Sequence, residues 1–163
     1  MALLLYAGCR WLDGRDGSHS PGLWWNLGHA AFLITWLSFA VLTVLMTRQL
    51  RGGLALYPAV AVASLVGIAA FVWVTVTDIF QSLPELPDPL RNVGPLLFLI
   101  GFCVLLGGTA RQQRINPWLL FPALTLAAIA AVAASLALLP LTALLFLAAL
   151  APCRSKAAPL AVK

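Results

Sequence analysis

The residues best placed to do chemistry are His29 and Asp78. An imidazole beside a carboxylate can hold a proton or a cation. His29 lies just inside an apolar run that starts near residue 27. Asp78 follows the end of a second run, with Thr75, Thr77 and Gln81 close to it. Consecutive antiparallel helices are usually neighbours, so the two side chains are expected to meet at similar depth. Asn26 and Gln81 join them as candidate ligand-binding residues. An ionisable group at the edge of a bilayer marks a functional site by default. The plainer alternative is an Asp78 that sits wet among headgroups and ends its helix.

A second cluster is Asp13-Gly-Arg-Asp16-Gly-Ser-His19. Asp13, Asp16 and His19, at three-residue spacing in a glycine-bearing loop, are weak candidates for a divalent cation. Gly and Asp are also turn residues, so a solvated turn explains the same letters. Cys9, Cys103 and Cys153 fall in three separate segments and form no C-x-x-C pair. Neither a disulfide framework nor a zinc site follows from them. No phosphate loop, H-E-x-x-H or G-x-S-x-G motif occurs, so no catalytic residue and no cofactor is assigned.

These groups must be carried by a hydrocarbon-facing scaffold. Of 163 residues, 62% are apolar and only 9% charged, with mean hydropathy +0.97. A water-soluble domain carries roughly a quarter charged residues, so this chain cannot cover its surface in water. The net charge of +5 is not a nucleic-acid signal. Most basic residues flank apolar runs, where they set topology.

The expected architecture is all-α, a polytopic transmembrane helix bundle of about five spans. Spans are expected at residues 27–46, 54–76 and 93–110. Residues 117–152 form an apolar tract too long for one crossing of a core about 30 Å thick. A fold-back near 134–140, with Pro140 in the first turn of the last helix, is expected to divide it in two; the alternative is a single long helix with an interfacial segment. Residues 1–23 form an extracytoplasmic segment, 24–152 the bundle and 153–163 a cytoplasmic tail. Residues 1–12 suit an interfacial helix anchored by Trp11 or the end of a further helix; a lipid on Cys9 is the third alternative. With this count Arg48, Arg51, Arg111, Arg114, Arg154, Lys156 and Lys163 share one side, and all five acidic residues lie on the other. The positive-inside rule puts the N-terminus outside and the C-terminus inside.

The basic turn Arg48-Gln-Leu-Arg51 recurs as Arg111-Gln-Gln-Arg114. Aligning the two superposes Phe39-Ala-Val-Leu42 on Phe102-Cys-Val-Leu105, and then Tyr57-Pro-Ala on Phe121-Pro-Ala. A duplicated two-helix unit, about 27–78 and 93–138, is expected as a pair of parallel repeats. Asn92 takes the place of His29 and Thr142 that of Asp78, so only the first repeat carries the ionisable pair. Ala59, Ala63 and Gly67 align with Ala123, Ala127 and Ala131, a small residue at every fourth position suited to close helix packing. The hydroxyls of Thr35, Ser38, Thr43, Ser64, Thr109 and Thr125 are expected to bond their own helix backbones. A wide hydrophilic channel is therefore not expected.

The Trp25-Asn-Leu-Gly-His-Ala-Ala-Phe32 entrance, the R-Q-x-R turns and the Ala/Leu-rich spans resemble small polytopic membrane proteins of high-GC bacteria. The resemblance covers most of the chain. It implies a bacterial cytoplasmic membrane and brings no activity. Size and six tryptophans are similar to the tryptophan-rich sensory proteins, but their tryptophan- and proline-rich first-loop motif is absent and their function is not carried over. The expected partners are the lipid bilayer and a homo-oligomer or larger membrane complex, with no nucleic acid. The leading expectation is an accessory or oligomeric subunit. The alternatives are a protein that binds or transports a small molecule or cation near His29 and Asp78, and an intramembrane enzyme acting on a lipid or quinone.

Overall fold

The computed structural model describes residues 2–13, 22–50 and 55–112, with residues 120, 123, 124, 127, 128 and 144. Most of the expected fourth and fifth spans, the fold-back, Asp16, His19, Ala131, Thr142 and the tail lie outside the described residues. The described part is all-helical, with four helices: α1 Ala2–Asp13, α2 Leu23–Gln49, α3 Leu56–Ile79 and α4 Asp88–Arg111. The last three are long and apolar enough to cross a membrane.

Each long helix extends past its apolar run for a local reason. α2 begins at Leu23 and takes Trp24, Trp25 and Asn26 into its first turn. α3 continues through Asp78 to Ile79. α4 starts at Asp88 rather than near 93, because Pro89 is preset for a first turn and Asp88 complements the helix dipole there. α2 and α4 both end in a basic last turn, at Arg48 and Arg111. Their C-caps match: Leu50 N–H donates to the Met46 carbonyl at 3.0 Å and Gln112 N–H to that of Gly108 at 3.1 Å.

α3 lies between α2 and α4, and its contact with α4 is the most extensive in the bundle. Glycines set that contact. A Cβ on Gly101 would lie 2.5 Å from the Val60 carbonyl, and one on Gly108 would lie 2.9 Å from the Tyr57 ring. A Cβ on Gly94 would meet Ala70 at 2.8 Å, and one on Gly67 would run into the Gly94 carbonyl. Gly94, Gly101 and Gly108 are spaced by seven, the repeat that keeps one seam of a left-handed helix pair in register. Of the small residues expected to pack, Gly67 sits in this contact and is buried, Ala63 is half-buried and Ala59 is exposed. Ala123 and Ala127 are buried.

The α2–α3 seam follows the same spacing. His29 meets Asp78 at 3.5 Å, and seven residues further along each helix Trp36 stacks on Phe71, centroids 3.9 Å apart and planes 8° from parallel. The register then places Thr43 level with Ser64. Trp36, Phe39, Phe71, Phe98 and Phe102 form one aromatic cluster at the junction of α2, α3 and α4. Between helices in lipid, such packing supplies attraction that hydrophobicity does not. Hydroxyls of Thr35, Ser38 and Thr109 donate to carbonyls on their own helices. Contrary to the sequence expectation, the buried side-chain oxygens of Thr43 and Ser64 have no hydrogen-bond partner among the described residues.

α1 packs along one half of α2 in the opposite direction. Tyr6 stacks on Phe32 at 4.4 Å, a Cβ on Gly28 would lie 3.2 Å from Cys9 Cβ, and the Arg10 guanidinium lies 4.8 Å over the Trp25 ring. Cys9 is a free, buried thiol in this contact, and burial raises its pKa above the usual thiol range.

Candidate functional site

α2 and α3 meet end to end at the His29–Asp78 level, where α1 also ends. Trp25 and His29 are four residues apart on α2 and so share a face. Their rings are 4.2 Å apart and tilted by 37°. Trp25 Nε1–H donates across the seam to the Asp78 backbone carbonyl at 3.2 Å. His29 Nδ1 is 2.8 Å from the Trp25 carbonyl oxygen, and Nε2 is 3.5 Å from Asp78 Oδ2. The imidazole is nearly enclosed, with its side chain 5% exposed, whereas that of Asp78 is 46% exposed. Tyr6 closes the ring's other side edge-on at 6.4 Å. Burial holds the Tyr6 phenol above its ordinary pKa; Arg10 opposes that and Asp78 adds to it.

On its open side Asp78 borders a cavity of about 230 Å³, lined among others by Trp25, Thr77, Gln81, Glu85 and Arg91. Arg91 lies 4.0 Å from Glu85. The segment between α3 and α4 is tied back by Trp73, whose Nε1–H donates to the Pro84 carbonyl at 3.1 Å. Thus one wall is the end of α3 with Asp78, another is the connecting segment, and His29 lies outside the lining, against Asp78.

The structure brings His29 and Asp78 together and puts Gln81 in the cavity wall. Asn26 is exposed and is not part of that wall. Asp13 is buried at the end of α1, 3.7 Å from Arg10, and among the described residues no three of His, Cys, Asp or Glu converge. Sequence reasoning put Trp25, Glu85, Arg91 and Arg10 at this end of the bundle but named none of them as a site residue. The four-residue spacing of Trp25 and His29 was the available signal. Trp24 and Trp73 are partly exposed, whereas Trp36 is wholly buried.

An imidazole and a carboxylate at this distance can hold and release a proton, or present a carboxylate to a cation. No family model matches the chain, and no curated protein and no solved structure matches it significantly.

Proposed function

We propose that this chain is a multi-pass protein of a bacterial cytoplasmic membrane, five spans with the N-terminus outside, that binds or transports a small molecule or cation at its outer end. One observation carries this reading: a buried imidazole paired to a half-exposed carboxylate that opens on a polar cavity. An ionisable side chain buried within a membrane-spanning helix, as His29 is, is costly to place and often marks a ligand path. The duplication is supported by what faces what. The aligned Phe39 and Phe102 meet edge to face at 5.2 Å, and the aligned Thr109 hydroxyl and Met46 sulfur are 4.0 Å apart. Parallel repeats about an axis along the membrane normal put equivalent residues at one depth.

The test is a thermal-shift screen of the purified full chain against small amines, carboxylates and sugars. A stabilising compound is expected, and His29→Ala and Asp78→Asn are each expected to remove most of its shift. A shift that survives in both variants would refute the site.

A second reading is an accessory or homo-oligomeric subunit. It is favoured by the placement of Ala59, exposed, and Ala63, half-buried, at the start of the small-residue ridge. The mass of the particle in mild detergent decides it: a lone monomer contradicts this reading.

A further inference from the structure

Resting on the reading of the outer cavity as a ligand site, we infer that its ligand is a small alkylammonium ion, taken up in exchange for a proton on His29. The Trp25 carbonyl can only accept a hydrogen bond, so His29 Nδ1, 2.8 Å away, carries the hydrogen. A neutral ring then turns the bare lone pair of Nε2 toward Asp78 Oδ2 at 3.5 Å. Two acceptors then face each other. A proton on Nε2 turns this into a charge-assisted contact, and a cation held by the carboxylate from its other side relieves it equally well.

Asp78 is built for that second solution. Its carboxylate is 46% exposed and forms part of the cavity wall, while His29 lies behind it. The other charges of the wall, Glu85 and Arg91, offset one another at 4.0 Å. With His29 neutral, Asp78 is therefore, among the described residues, the uncompensated charge of the cavity wall, and it is negative. Trp25, Val74, Leu83 and Leu86 give the same cavity an apolar side, suited to a short alkyl chain. Among the described residues, the other titratable or charged groups around the ring are Tyr6, edge-on from α1, and Arg10, over Trp25. Arg10 keeps its charge throughout and does not exchange.

The step balances simply. The ammonium arrives with one positive charge, the Nε2–H bond of the imidazolium breaks, and that proton leaves to the outer aqueous phase. The charge of the site is unchanged, and the carboxylate exchanges one cationic partner for another.

The experiment titrates the full chain, in weakly buffered detergent solution, with n-butylammonium, n-butanol and n-butyrate, following binding by calorimetry and proton release with a pH electrode. The expected result is binding of n-butylammonium alone, with up to one proton released per cation. His29→Gln is expected to bind it without proton release. Asp78→Asn is expected to bind more than about tenfold more weakly, and Asp78→Glu, which keeps the charge, to retain binding. Circular dichroism establishes that each variant is folded. Binding of butanol or butyrate in preference overturns the cation assignment but leaves the cavity as a site. Cation binding without proton release in the wild type, across about pH 5–8, overturns the exchange. Silence from all three compounds overturns this inference; loss of the site itself is decided by the wider screen on the two site variants.

Discussion

Gly101→Ala is expected to lower the melting temperature by about 10 °C, corresponding to about 3 kcal/mol of overpacking. The added methyl would lie 2.5 Å from the Val60 carbonyl oxygen, 2.8 Å from Ser64 Cβ and 2.9 Å from the Ser64 backbone nitrogen. Two of those three atoms are backbone, so no side-chain rotation relieves the clash and α3 must move away from α4. Because α3 also carries Asp78, that movement reaches the site. Gly107→Ala is the matched control. Among the described residues nothing lies within 4 Å of a Cβ there, so alanine's helix preference should stabilise by about 0.5–1 kcal/mol. Thermal unfolding followed by circular dichroism reads both. Equal effects at 101 and 107 would show that the α3–α4 seam is not packed through its glycines.

The second large effect is expected at Trp36. Its side chain has no exposure, lies flat on Phe71 at 3.9 Å and meets Phe98 edge to face at 5.1 Å. Trp36→Ala opens a cavity at the junction of three helices. In water-soluble cores such truncations cost about 3–5 kcal/mol, part transfer and part cavity. In detergent or lipid the transfer part shrinks, because the unfolded reference is also apolar. A loss of about 3 kcal/mol is expected, and Trp36→Phe should recover more than half of it by restoring the stack on Phe71. If Trp36→Ala melts as the wild type does, the aromatic cluster does not hold the bundle together.

How far these features could be read from the letters depends on what each rests on. The three long helices were legible because apolar length is a signal a lipid core imposes directly. Their ends were less so: the charges in Asp88–Arg91 masked the start of α4, although Pro89 marks a first turn. His29 and Asp78 were legible as a pair because helices joined by a short turn pack antiparallel, which fixes their depths. The ridge Ala59-Ala63-Gly67 was read by a four-residue period. The close contact instead uses Gly67 against Gly94, with Gly101 and Gly108 following at seven. Both periods are helical, and only the partner helix chooses between them. The cavity wall was hidden for a different reason. Glu85 and Arg91 flank a proline-rich connection, whose path depends on contacts such as Trp73 with Pro84 rather than on periodicity. α1, short for a span, gains its place from Tyr6, Cys9 and Arg10 against α2, contacts that no local pattern announces.

The central claim is that the cavity at the Asp78 end opens outside the cell while the Arg48 end faces the cytoplasm. Single cysteines test it, introduced as Gln81→Cys and Gln49→Cys, both exposed positions, in a chain whose own three cysteines are changed to alanine. With a membrane-impermeant maleimide on intact cells, the account predicts labelling at position 81 at once and at position 49 only after permeabilisation. Labelling at 49 but not at 81 in intact cells would contradict it.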